Sequence, residues 1–162
     1  MKSRAVTWKS VLLTFVFAVI FYALAYSWMS RRQTGRGPWQ ASFTTNATGV
    51  PQLVISQSAL AISNVTIQFV GEQLAPTNQT GTVAFARPKQ TTPFGYVAYD
   101  DLMFQPGVVA LDCFGHLVEM LPTALGLNGK RFGWTNGSVY SLTATNKLSA
   151  DARKKLKGGY KR

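Results

Sequence analysis

The stretch from Val11 to Met29, VLLTFVFAVIFYALAYSWM, restricts this chain more than any other feature. It carries no charge, and the charge-free run extends from Ser10 to Ser30, between Lys9 and Arg31. As a helix rising about 1.5 Å per residue, this segment reaches roughly 28 Å, close to the ~30 Å hydrocarbon thickness of a bilayer. A single spanning helix over 11–29 is expected, with Val11, Phe15, Phe17, Ile20, Phe21, Tyr22, Tyr26 and Trp28 as its lipid-facing anchor. Trp8 near one end and Tyr22, Tyr26 and Trp28 near the other suit rings at headgroup level.

Two other readings of the run are weaker. Ala23-Leu24-Ala25 fits a signal-peptidase site, with Lys2, Arg4 and Lys9 as the basic region before an apolar core. Against cleavage after Ala25, apolar character continues to Met29 and then meets Arg31, Arg32 and Arg36, which read as a stop at the far interface. A buried core helix would need partners apolar enough to surround it on every side, and the rest of the chain offers none. A lipoprotein signal lacks its cysteine, because Cys113 is the only one, and the run holds no glutamate of the type IV pilin pattern.

The formal charge of +11 suggests nucleic acid until it is located. Residues 1–36 hold six basic and no acidic residues, residues 37–148 five of each, and residues 149–162 six basic residues against Asp151. The body is neutral, whereas a nucleic-acid binder carries a basic stripe on its folded domain. Nucleic acid is therefore not an expected partner. Arg31, Arg32, Arg153, Lys154, Lys155 and Lys157 are instead candidates for contact with lipid headgroups or an acidic partner. A sparsely charged body rich in Thr, Ser, Asn and Gln is expected outside the cytosol. The expected layout is a short cytoplasmic N-terminus (1–10), the inner (plasma) membrane helix (11–29), a linker (30–38), a periplasmic or extracellular β-domain (39–146) and a basic C-terminal helix or tail (147–162). Asn46, Asn64, Asn78 and Asn136 open N-x-Ser/Thr triplets, which a β-protein rich in Thr and Asn also produces in turns.

Beyond the linker, apolar residues alternate. Trp39, Ala41 and Phe43 fall on one face of an extended segment, and Thr45 to Pro51 is a turn into a second strand over 53–57. Val65, Ile67 and Phe69 repeat the pattern, and short strands follow around Val83, Leu111 and Val139–Thr145. The segment 96–104 is ambiguous, and 117–125 reads either as a returning strand or as a short helix broken by Pro122. Asn128-Gly129 predicts a type I′ hairpin turn. About eight short strands spaced ~8–12 residues apart predict a mainly β fold, a small antiparallel sandwich or jelly-roll-like domain.

Chemistry is scarce. Asp112, Cys113 and His116 are the only grouping with acid, nucleophile and base character. Cys113 falls in the apolar phase of its strand and His116 at a turn, so a buried structural cysteine beside an exposed turn histidine is expected rather than catalysis. One His and one Cys do not furnish a metal site, and no phosphate-binding glycine loop occurs; no cofactor is expected. The aromatics Trp39, Phe43, Phe69, Phe85, Tyr96, Tyr99, Phe132, Trp134 and Tyr140 read as core more readily than as a sugar platform. The expected function is a non-catalytic accessory or scaffold subunit of a larger membrane complex, partnered by lipids and other subunits. A membrane-tethered module binding glycan or lipid is the alternative.

Overall fold

A computed structural model of the protein describes residues 8–34, 37–74 and 80–159, with side chains over 8–29, 37–74 and 80–155. Lys2, Arg4, Arg36 and Asn78, and the side chains of Arg31, Arg32 and Lys157, lie outside these described residues. The chain divides into two compact units, Met1–Gly35 and Arg36–Arg162.

The first unit contains helix α1, Trp8–Thr34. It is longer than the 11–29 expected because Arg31, Arg32 and Gln33 are good helix formers that continue the turn started by the apolar run. The helix thus takes up most of the expected 30–38 linker. It is apolar all round: the eight anchor residues are between 47% and 71% exposed, and the stretch Trp8–Met29 is long and apolar enough to cross a membrane. A soluble core helix of this composition would be covered, and none of this stretch is buried. Thr14 returns its hydroxyl to the Ser10 carbonyl at 2.9 Å, which satisfies a polar group that lipid could not.

The second unit is mainly β. Strands β1 (Gln40–Thr45), β2 (Pro51–Gln57), β3 (Ile62–Val70), β4 (Gly81–Ala84) and β10 (Val139–Thr143) form one sheet in the order β10-β3-β2-β1-β4. Strands β5 (Tyr96–Asp101), β6 (Val108–Cys113), β7 (His116–Leu121), β8 (Ala124–Leu127) and β9 (Lys130–Phe132) form the other, in sequence order. Helix α2, Ala150–Gly159, closes the chain. The alternation read in the sequence is realised: Trp39 just before β1, Ala41 and Phe43 within it, and Val65, Ile67 and Phe69 on β3 are all fully buried. They share one apolar cluster with Val109, Leu111, Val118 and Met120 of the second sheet.

Two readings that the sequence left open are settled, and one expectation is corrected. The ambiguous 96–104 begins as strand β5, and 117–125 is strand rather than helix, because β7 and β8 pair from Val118↔Leu127 to Leu121↔Ala124 about a two-residue turn that accommodates Pro122. The body is not wholly antiparallel, since β10 runs parallel to β3 from Val139↔Thr66 to Thr143↔Val70. That pairing is set far from either strand's local pattern: the Asn136 amide donates to the Ala61 carbonyl at 2.8 Å and accepts from the Ser63 N–H at 2.9 Å, which fixes where β10 begins against β3.

Strand direction sorts the connections into two ends of the head. At one end lie Trp39, the Leu102–Gly107 loop between β5 and β6, the Pro122-Thr123 turn and Trp134. The Trp39 indole donates to the Gly107 carbonyl at 2.7 Å and rests on Trp134 at 5.2 Å, while Trp134 donates to the Leu121 carbonyl at 2.9 Å. Gln57 at the same end donates to the carbonyls of Gly37 and Pro38 at 2.8 and 3.1 Å, so the chain is fastened to the head two residues before Trp39. At the other end lie the Phe114-Gly115 and Asn128-Gly129 turns, Glu72, Lys147 and α2. The outermost strands are short or interrupted: β4 has four residues, β10 five, β9 three including Lys130 and Arg131, and β5 shifts register between Val97 and Tyr99.

Candidate functional site

The end that carries α2 gathers most of the head's chemically versatile side chains. It is organised by two turns of the same kind. Phe114 and Gly115 have φ of 52° and 83°, and Asn128 and Gly129 have 51° and 82°, the paired positive values of type I′ hairpins. The Asn-Gly turn was expected. A phenylalanine in the left-handed region is uncommon, and it is held there by packing: the Phe114 ring lies 5.2 Å from Phe69 and 5.5 Å from Phe94.

Asn128 ties these turns to the C-terminal segment. Its carbonyl oxygen accepts the Leu117 N–H at 2.9 Å, and its amino group donates to the Asn146 carbonyl at 2.6 Å and meets His116 Nδ1 at 3.1 Å. With the oxygen committed to a backbone donor, the amino group faces the histidine, so Nδ1 accepts and the proton is assigned to Nε2. His116 is therefore a neutral, fully buried side chain beside Phe69, correcting the expectation of an exposed turn residue. Burial lowers its pKa, and nearby Lys147 lowers it further against the opposing pull of Glu72 and Asp112. Its Nε2 has no hydrogen-bond partner among the described residues.

Cys113 and His116 are directly opposed in the β6–β7 hairpin, closer than the sequence implied. They still do not make a nucleophile and base. Burial, reinforced by the Asp112 charge, pushes the Cys113 thiol far above its ordinary range, so it stays protonated and out of reach of a substrate. Asp112 is nearly buried as well, accepting the Tyr96 hydroxyl at 2.8 Å and facing Arg153 of α2 at 3.9 Å. Lys147 meets Glu72 at 2.5 Å. These two ion pairs, with Ser149 capping the Ala152 N–H at 3.2 Å, seat α2 on the head. Among the described residues no three His, Cys, Asp or Glu side chains converge as a metal site.

The sequence-derived cations separate accordingly. Arg153 is turned toward the head, whereas Lys154 and Lys155 are exposed on α2. Of the nine aromatics singled out, Trp39, Phe43, Phe69 and Phe85 are buried core, Tyr99, Phe132, Trp134 and Tyr140 are half-buried, and Tyr96 is exposed. Phe94 and Phe114 were missed, because each lies in a polar or glycine-flanked stretch without alternation; Phe94 meets Phe43 edge-on at 4.8 Å. An open cleft of about 570 Å³ runs between the Lys89–Thr92 segment and β5, with Gln90, Thr92, Tyr96, Tyr99 and Asp100 on its walls. Lys89 donates its N–H to Asp100 at 2.7 Å, which holds that segment over the strand. Elsewhere on the second sheet, burial raises the Glu119 carboxyl while Arg131 opposes the shift. The chain matches no protein-family model, no curated protein and no solved structure.

Proposed function

We propose that this chain is a single-pass protein of the inner (plasma) membrane, retained by α1, whose outer-side head is a two-sheet β-sandwich serving as a non-catalytic accessory subunit. The N-terminus is on the cytoplasmic side, and Arg31 and Arg32 meet headgroups where α1 leaves the bilayer. The head docks on a partner with an acidic surface through Lys154, Lys155 and Lys157 of α2. The observation that carries this reading is the fate of the reactive groups: Cys113 is a sealed, protonated thiol and His116 is committed to Asn128, while cations of α2 are held outward by the Arg153–Asp112 and Lys147–Glu72 pairs. Extraction of the native membrane in mild detergent followed by sizing should place the chain in a complex larger than itself. Lys154→Glu with Lys155→Glu should release it to the monomer. A wild-type chain recovered only as a monodisperse monomer would overturn the proposal, and a reporter on the C-terminus accessible only from the cytosol would overturn the orientation.

A second reading is favoured by the cleft beside β5. Two tyrosines, Gln90, Thr92 and Asp100 around about 570 Å³ are the wall chemistry and size of a small glycan site. In that case Tyr96→Ala and Tyr99→Ala should abolish retention of the detergent-solubilised protein on immobilised oligosaccharides. Retention unchanged by both substitutions would remove it.

A further inference from the structure

We propose that the seam between β9 and β10 is a binding site for a single-chain aliphatic carboxylate, with the tail against core side chains and the carboxylate on Lys130. The site is separate from the cleft beside β5 and from the outward lysines of α2.

Strands β9 and β10 are edge strands of different sheets and do not pair with each other, so the two sheets part along this line. A cavity of about 290 Å³ opens there, the size of a small-ligand pocket. Its apolar lining starts in the core, because Leu127 of β8 and Leu142 of β10 are buried members of the cluster between the sheets. Phe132 and Tyr140 carry that lining outward, half-buried with their rings 5.3 Å apart, and Leu148 adds to it from the segment that leads into α2. Asn128 and Asn146 also border the cavity, and the Asn128 amino group donates to the Asn146 carbonyl at 2.6 Å. The walls are thus tied together before any ligand arrives.

The register of β9 supplies the recognition chemistry. Lys130 pairs with Leu127 and Phe132 with Leu125, which puts Lys130 and Phe132 in the core-facing phase of the strand. Arg131, in the other phase, shares a row with Gly126 and Glu119 on the opposite face of the sheet. A lysine in an inward phase at an edge strand deters pairing with other chains. Here it also borders an apolar cavity while remaining exposed, so its stem belongs to the lining and its ammonium to the mouth. Among the described residues lining the cavity Lys130 alone is charged, and its ammonium has no ion-pair partner among the described residues. Apolar walls, one cation and no carboxylate are complementary to an apolar body that ends in one negative charge. The hydroxyls of Tyr140 and Ser141, on the same lining, supply further donors to that charge. A two-chain phospholipid is far larger than about 290 Å³, which favours a ligand with one short chain.

The test uses the full chain in phosphatidylcholine nanodiscs, irradiated with octanoic acid that carries a diazirine on its tail and mapped by peptide mass spectrometry. Crosslinks should fall on the segments 125–132 and 139–148, and unlabelled octanoate should displace the probe where octylammonium does not. Lys130→Gln and Lys130→Glu should each reduce crosslinking by about tenfold, the loss expected for a charge-assisted contact, and Lys130→Arg should restore most of it. Protection of the buried Cys113 from maleimide reports that the head of each variant is closed, and the neutral Lys130→Gln decides if Lys130→Glu opens it. Crosslinks confined to α1, or spread evenly over the head, would overturn the site. Displacement by octylammonium as effective as by octanoate, or crosslinking unchanged in a closed Lys130→Gln head, would overturn the carboxylate. Displacement by lysophosphatidylcholine as effective as by octanoate would assign the cavity to a lipid tail whatever its headgroup and likewise overturn it.

Discussion

Trp39→Phe should loosen the join between the two sheets by about 2–4 kcal/mol. The indole N–H is the donor to a buried carbonyl, that of Gly107, at 2.7 Å. Phenylalanine supplies no donor, and an orphaned buried carbonyl costs about 1–3 kcal/mol. The smaller ring also leaves roughly 40 Å³ unfilled against Trp134, worth about 1 kcal/mol at ~24 cal/mol per Å³. The sole thiol reads the outcome. Cys113 is fully buried and protonated in the closed head, so a maleimide reaches it only when the sheets part. In the regime where closing outpaces labelling, the rate follows the open population, and 2–4 kcal/mol corresponds to roughly a 30- to 700-fold faster reaction at one pH. Trp134→Phe is the internal comparison. Its ring is half-buried and its 2.9 Å bond goes to Leu121 within the second sheet, so its effect should be smaller. A Trp39→Phe chain labelled at the wild-type rate would refute the argument that this indole couples the sheets.

Four further outcomes follow from the same geometry. Because burial holds His116 below its ordinary value of 6.5, the unfolded chain binds the extra proton first; stability from this group is complete above that value and falls as pH drops through it. His116→Asn should flatten the dependence of the denaturant midpoint on pH below 6.5, and an unchanged slope would exclude this histidine as its source. Gly95→Ala forces a Cβ onto the Asp112 carbonyl at φ +94° and should cost at least about 2 kcal/mol, whereas Gly49→Ala, at φ +81° in open space, should cost about 1 kcal/mol of backbone strain; chemical denaturation separates the two. Asn136→Ala removes the two side-chain bonds at the start of the β10–β3 pairing and should lower stability by about 1–2 kcal/mol, read as faster amide exchange confined first to Val139–Thr143.

What could be read in the sequence was what neighbouring residues decide together. The period-2 runs through Phe43 and Ile67 exposed their buried face without any knowledge of the partner strand, and Asn128-Gly129 announced its turn through two residues that tolerate positive φ. The apolar run did the same for α1. The site was less legible because its contacts join distant segments. His116 is buried by a residue twelve positions away, Asp112 meets an arginine on the last helix, and Phe114 adopts a left-handed backbone only because Phe69 and Phe94 hold its ring. The parallel β10–β3 pair likewise depends on Asn136 reaching across more than seventy residues of chain. A reading confined to local pattern returns a turn histidine, an unassigned phenylalanine and an antiparallel body.

The shape of the outermost strands bears on crowding. On the proposed reading of α1 as a retained anchor, heads fixed to one surface meet one another far more often than molecules free in solution, and a long, flat, unpaired strand would invite them to zip into a shared sheet. A four-residue β4, a five-residue β10, a three-residue β9 armed with Lys130 and Arg131, and a β5 whose register breaks between Val97 and Tyr99 each offer only a short or irregular ladder. Copies brought close together are thus offered few ladder hydrogen bonds, and contact between heads is left to side chains.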